Sequence, residues 1–168
     1  MELLDFDADT LYFDEPMSAE AAHCLEQAAE EYGEPSAEER LLRAYSLQPE
    51  HPSVLVALYR FYYYQHRLEE ALQIAERTLV QFAQRVGLPT DWHTITADGV
   101  AHYQGGVTPD LRFYLMALKG AGYLEMRLGR HRAAQQRFAT VMLFDSDDRL
   151  GAGVLQQFAK AAENLPPP

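Results

Sequence analysis

The sequence has one cysteine, one tryptophan and no apolar run of the roughly 18 residues that a membrane span requires. The single cysteine, Cys24, cannot form a disulfide within the chain, and it cannot supply a multi-thiolate zinc site. Residues 1–17 form an acidic N-terminal arm that lacks the basic start of a signal peptide. We therefore expect a cytoplasmic protein without disulfides and without membrane association.

Positive charge is scarce as well, since the net charge is −11 at pH 7. Residues 1–50 carry fourteen acidic side chains against two arginines, whereas residues 51–168 carry eleven acids and twelve bases. Nucleic acids and anionic lipids are bound by concentrated positive charge, so we expect neither as a partner. The acidic first third forms either a solvated surface or a region that attracts a basic partner by electrostatic steering.

Sequence motifs of catalysis and cofactor binding are also missing. Gly120 and Gly122 lie within a helical pattern, without the strand–turn–helix context of a phosphate loop, and are interpreted as packing glycines. Cys24 lies on the apolar side of a predicted helix, which favours a buried, unreactive thiol. No nucleophile is accompanied by a base and an orienting group. We predict no catalytic residues, no cofactor, no metal and no enzymatic activity.

Helical periodicity runs through most of the chain, and no segment has a convincing strand pattern. Ser18 suits an N-cap, Ser36 and Glu39 form an S-x-x-E capping box, and Pro52 and Pro109 suit first helical positions. The pattern predicts an all-α fold of antiparallel helix pairs, with helices at 19–32, 69–86, 109–128, 133–144 and 150–165 and two more around 41–45 and 55–62.

Residues 87–108 interrupt this pattern with four glycines and a proline. We predict an insert without a long helix, forming an ordered flap or a mobile loop. Two histidines and two aspartates there are candidate metal ligands, but their spacing fixes no coordination geometry, so a polar loop is the preferred interpretation. These residues are Asp91, His93, Asp98 and His102.

Two segments resemble the second-helix opening of a tetratricopeptide (TPR) repeat: LEEALQIA at 68–75 and LGRHRAAQQRF at 128–138. Ala37 and Ala71, each near the start of a second helix, are 34 residues apart, which is the TPR period. The resemblance covers residues 18–82 and 112–147. It implies a right-handed superhelix of about three helix pairs in one domain, 18–165, followed by a tail, 166–168. An irregular helical bundle is the alternative.

The helix predicted at 150–165 would then cap the last pair with one apolar side. This apolar side is predicted to contain Val154, Leu155, Phe158, Ala159 and Ala162.

In addition, segments 54–67 and 111–119 are similar to small bacterial TPR proteins that accompany nitrogen-fixation gene sets. This similarity implies an accessory or assembly role.

In TPR arrays the first helices of the pairs line a concave groove. The resemblance places Tyr, Met and basic residues there, which are adaptable or favoured anchors of protein interfaces. The predicted groove residues are Arg60, Tyr63 and Tyr64 from the second unit and Met116, Lys119, Tyr123, Met126 and Arg127 from the third. We expect the groove to bind a protein or peptide with acidic and apolar residues. The alternative is a homodimer in which the groove or the insert packs on a second copy.

Overall fold

The computed structural model describes residues 15–165, and the regular structure of this part of the chain is entirely helical. Its α-helices are α1 (Ala19–Glu30), α2 (Pro35–Leu47), α3 (Pro52–Tyr64), α4 (Leu68–Val86), α5 (Ala97–Ala101), α6 (Pro109–Arg127), α7 (His131–Phe144) and α8 (Ala152–Glu163). The all-α prediction is confirmed. Most of the predicted arm, residues 1–14, and the predicted tail, 166–168, lie outside the described residues.

The described residues divide into two compact units, 15–74 and 75–165. In the first unit α1 packs on α2, and α2 packs on α3. In the second unit α6 packs on α7, and α7 packs on α8. Short turns join these successive helices, as the pairwise pattern predicted. The single repeat domain at 18–165 and the handedness of a stack stay predictions.

Capping chemistry sets most helix starts in the first unit. The Ser18 side chain accepts a hydrogen bond from the Ala21 amide, and Pro52 is the first residue of α3, both as predicted. His51 caps α3 through Nδ1, which accepts from the Ser53 amide at 3.2 Å. Its other ring nitrogen lies 3.1 Å from the carbonyl oxygen of Glu15. The same side chain therefore starts α3 and fixes the chain just before α1.

The predicted capping box at Ser36 and Glu39 is wrong, because the N-cap of α2 is Glu34, two residues before Ser36, and the helix begins at Pro35. Proline has no backbone N–H and a φ already suited to a helix, so it occupies the first helical position itself. Ser36 instead hydrogen-bonds Glu31, and this bond, together with Arg40, lowers the pKa of Glu31. The serine thus binds the preceding turn rather than capping its own helix.

Small residues lie where helices approach most closely. Ala37 and Ala71 in the first unit and Ala134 in the second, the three equivalent positions of the TPR comparison, are all 0% exposed. A Cβ atom on Gly122 would lie 2.7 Å from Cε1 of Phe138, so this glycine is required by helix packing, as predicted. Cys24 is buried, also as predicted.

The apolar side predicted for the last helix is partly wrong. Residues Ala152, Leu155 and Ala159 of α8 are buried, but Val154 and Phe158 are 44% and 57% exposed. Successive residues in a helix turn by about 100°, so a side centred on Leu155 and Ala159 leaves these two beyond its edge. Helix α8 therefore has two apolar sides, one buried and one exposed.

The insert at 87–108 carries no long helix, as predicted, and of the two predicted alternatives its contacts favour the flap. It contains a 3₁₀ turn at Trp92–Thr94 and the five-residue α5. Trp92 and Ile95 are buried, and the Tyr103 hydroxyl donates a hydrogen bond to the Val86 carbonyl at 2.9 Å. These contacts make the insert a flap fastened to the second unit.

Candidate functional site

Helix α6 presents the five third-unit groove residues as one stripe. Apart from these five, every residue from Phe113 to Arg127 is buried. Their spacing of three or four residues places them on one side of the helix. The stripe, which we call the α6 stripe, consists of Met116, Lys119, Tyr123, Met126 and Arg127.

The basic end of the α6 stripe is a Tyr–Arg pair. The Arg127 guanidinium lies 5.9 Å from the Tyr123 ring centroid, and its Nη1 donates to the Tyr123 hydroxyl at 3.4 Å. This contact orients the charge beside an aromatic face. A carboxylate near an apolar side chain would match that combination.

Lys119, at the middle of the α6 stripe, is half-buried and faces the acidic turn after α7. Burial lowers the pKa of Lys119, while the nearby carboxylates of Asp148 and Asp145 act in the opposite direction. Asp145 also accepts from the backbone amides of Arg149 and Leu150, at 3.0 Å and 2.7 Å. The lysine is therefore a member of a local charge cluster as well as of the stripe.

The second-unit groove residues lie on α3, in the first compact unit. Arg60 and Tyr63 are half-buried and Tyr64 is 44% exposed. The rings of Tyr59 and Tyr63 are stacked with centroids 6.4 Å apart, and Tyr63 meets Tyr64 edge-on at 5.6 Å. Helix α3 thus presents an aromatic cluster, while Tyr59 and Tyr62 are buried. A single groove containing both the α3 and the α6 residues stays a prediction.

A cavity of about 430 Å³ opens beside the start of α6. Its wall is mainly apolar, and Asp145, which acts on Lys119, also lines it. A cavity of this size accepts a large side chain or a small molecule. The apolar lining residues are Val100, Val107, Leu111, Leu115, Phe144 and Leu150, and the polar ones include Tyr103, Arg112 and Arg149.

Sequence reasoning missed a buried charge network in the second unit. The Arg137 guanidinium, 5% exposed, donates to Glu76 and, at 3.3 Å, to Glu125, which is 9% exposed. Arg130 reaches the second oxygen of Glu125 at 3.4 Å. The guanidinium of Arg137 also lies 4.7 Å from the ring centroid of Trp92. The network therefore joins the insert to α4, α6 and α7.

Three polar atoms near this network are buried without a hydrogen-bond partner among residues 15–165: the Tyr114 hydroxyl oxygen, and Nε and Nη1 of Arg137. Burial raises the pKa of Tyr114 far above its usual value, with the charge of Glu76 adding to the effect. The signal in the sequence was Glu125, a charged residue in the core phase of a helix where the TPR pattern expects tyrosine.

The candidate metal ligands of the insert form two separate pairs. Nδ1 of His93 lies 2.8 Å from Asp91, and Nδ1 of His102 lies 3.5 Å from Asp98. Within the described part of the chain, no group of three or more His, Cys, Asp or Glu side chains could hold a metal ion. Residues 15–165 also include no helix with the length and hydropathy to cross a membrane.

Comparison with curated proteins finds a relative in Azotobacter chroococcum mcd 1, an uncharacterized 19.8 kDa protein in the nifW 5′ region. The two sequences are 50% identical over 155 residues, which cover 92% of this chain and 86% of the relative. No protein-family profile matches the chain. No solved structure matches it either.

Proposed function

This chain belongs to the family of that 19.8 kDa nifW-region protein, and from this premise we propose that it is a non-enzymatic accessory protein of nitrogen fixation. It binds a segment of a partner protein, as an adaptor or an assembly factor. A chain with one cysteine needs no oxidising compartment, which supports the cytoplasm as its location.

The α6 stripe is the observation that carries this proposal. From Phe113 to Arg127, α6 buries every residue except the five of the stripe. These five side chains are therefore the surface that this part of the helix offers to a partner. Those five are two methionines, one tyrosine and two bases, in a chain whose net charge is −11. Tyr and Arg are enriched among the residues that dominate interface energetics, and Met adapts to irregular apolar surfaces.

The chemistry of the stripe defines the partner segment. Lys119 and Arg127 match carboxylates, Tyr123 and the methionines match apolar side chains, and the neighbouring cavity of about 430 Å³ accepts one large apolar side chain. We therefore propose a segment in which acidic and apolar residues alternate.

We also propose that the helix pairs α1/α2, α3/α4 and α6/α7 are TPR units, and the buried alanines at Ala37, Ala71 and Ala134 support this assignment.

The test removes the positive charge of the α6 stripe. Because Lys119 lies near Asp145 and Asp148, a glutamate at this position would add a third negative charge to the cluster. Lys119 is therefore replaced by the neutral glutamine, and the variant is Lys119→Gln/Arg127→Glu. Fluorescent peptides of alternating glutamate and leucine, and proteins co-purified from a nitrogen-fixing bacterium, serve as probes. We expect binding to weaken by about 1–3 kcal/mol, measured by fluorescence anisotropy.

A matched control changes the net charge equally away from the stripe. The variant Arg77→Glu/Lys160→Gln alters exposed residues of α4 and α8 and makes the same change of −3. It is expected to bind like the wild type. Equal loss in both variants would show that only net charge matters, and unchanged binding in the stripe variant would contradict the proposal.

A further inference from the structure

The exposed apolar side of α8 has its own regular spacing. Val154 and Phe158 of α8 are 44% and 57% exposed, and Ala161 of the same helix is exposed as well. Leu165 lies two residues after the end of α8, where its amide still donates to the Ala162 carbonyl at 3.3 Å, and it is 70% exposed. The adjacent side of α8 is already occupied, because Leu155 and Ala159 are buried and α8 packs on α7. The exposed set, which we call the α8 seam, is therefore not a part of the core of its own unit.

The α8 seam has the spacing of a coiled-coil contact. Its residues follow one another at intervals of four, three and four, the a/d pattern of helices that pack along their length. This series is the same when it is read from either end. Two antiparallel copies would place Phe158 opposite Ala161 and Val154 opposite Leu165, so that the large ring faces the small side chain. Such self-complementarity is the condition for a two-fold symmetric interface.

The distribution of charge permits a second copy to meet the chain at this surface. The chain carries a net charge of −11, so most surfaces of two copies repel each other. The α8 seam carries no charged side chain, and the residues beside it, Gln157 and Asn164, are neutral amides. Glu163 lies off the seam and is bound by Arg132 at 2.6 Å and by Gln135 at 2.7 Å. Two copies can meet here without bringing carboxylates together.

We propose that the α8 seam binds the α8 seam of a second copy of this chain, in antiparallel orientation. The seam spans the twelve residues 154–165, about 17 Å along the direction of α8, so the interface is smaller than a standard one and the dimer depends on concentration. This interface differs from the α6 stripe, and the dimer presents two copies of that stripe.

Analytical ultracentrifugation over a range of concentrations tests the proposal. The wild type is expected to show a monomer–dimer equilibrium, and Phe158→Gln is expected to raise its dissociation constant at least about tenfold. The control is Val80→Gln on α4, because Val80 is 45% exposed and lies outside the seam. A wild type that stays monomeric, or an equal effect of the control, would overturn the proposal.

Cross-linking tests the orientation independently of the Phe158 variant. In the antiparallel dimer the two copies of residue 154 are about 17 Å apart, whereas residue 154 faces residue 165 of the second copy. Disulfide dimers are therefore expected for Val154→Cys/Leu165→Cys but not for either single variant. Dimers formed by the single variants would show a parallel arrangement and contradict the proposed one. The native Cys24 is buried and does not compete.

Discussion

Arg67 joins three segments of the first unit through one guanidinium. It donates to Glu38 of α2 at 2.7 Å and to Glu70 of α4 at 2.9 Å, and it lies 4.6 Å from the Tyr62 ring centroid. The Tyr62 hydroxyl donates to Glu38 at 3.1 Å. Hydrogen bonds from Arg67 and Tyr62 hold the pKa of Glu38 below its usual value of 4.5. The carboxylate form is thus favoured by folding.

This contact predicts a stability change in acid. A lowered folded-state pKa means that Glu38 stabilises the fold above the unfolded pKa, near 4.5, and that this contribution is lost as the pH falls through the folded value. Urea unfolding at pH 7 is expected to show Glu38→Gln less stable than the wild type by about 1 kcal/mol. The difference is expected to shrink toward pH 3, and a constant difference would contradict this interpretation.

Contacts between residues close together in the sequence could be predicted, whereas contacts between residues far apart in the sequence could not. Ser18 caps α1 through an amide three positions away, so its role follows from the order of residues. Arg137 meets Glu76 across 61 positions and Trp92 across 45, and only the folded chain brings them together. The residues of the α6 stripe were assigned to a groove through the TPR resemblance, and their helical spacing agrees with a position on one side of α6.

At the scale of elements, the start of α6 followed from its cap, whereas the side of a helix that faces its neighbour did not follow from the sequence. Thr108 accepts from the Leu111 amide and starts α6 at Pro109, as predicted. The side of α8 that faces α7 depends on contacts such as Gln156 Nε2 with the Gln135 carbonyl, at 3.3 Å. A pattern with apolar residues on two adjacent sides does not say which one is buried.

The insert is the element whose attachment depends most on one side chain. Trp92 is buried and stacked under Arg137, so Trp92→Ala removes both a ring and the cover of a buried charge. We expect a loss of about 3 kcal/mol in the free energy of unfolding and rapid thermolysin cleavage within 87–108. Mass spectrometry of the fragments locates the cuts. Trp92→Phe, which keeps an aromatic ring, is expected to stay resistant, and equal cleavage of the two variants would refute the anchoring role.

At the scale of the whole molecule, the charge is distributed unevenly. Residues 1–50 hold fourteen acids against two arginines, and the rest of the chain is close to neutral. The α8 seam belongs to that neutral part. Self-association through the seam therefore works against the repulsion between two acidic molecules, and this repulsion extends only over about a Debye length.

Salt is accordingly expected to strengthen the dimer. Raising sodium chloride from about 0.05 M to 0.5 M shortens the Debye length severalfold, which removes repulsion without weakening apolar contacts. Sedimentation equilibrium should show a dissociation constant at least about threefold lower at the higher concentration. A dimer that dissociates in salt would depend on ion pairs, and the α8 seam has none.

The position of Trp92 also gives the protein a built-in optical reporter. It is the single tryptophan of the chain, it is buried, and its ring stacks on His93 with centroids 3.7 Å apart and on the Arg137 guanidinium. Tryptophan emission therefore comes from the insert alone, against a background of ten tyrosines. Any ligand, partner or mutation that lifts the insert would transfer the indole from this enclosed setting to water and shift its emission to longer wavelength. The unlabelled protein can thus report the state of one segment in real time.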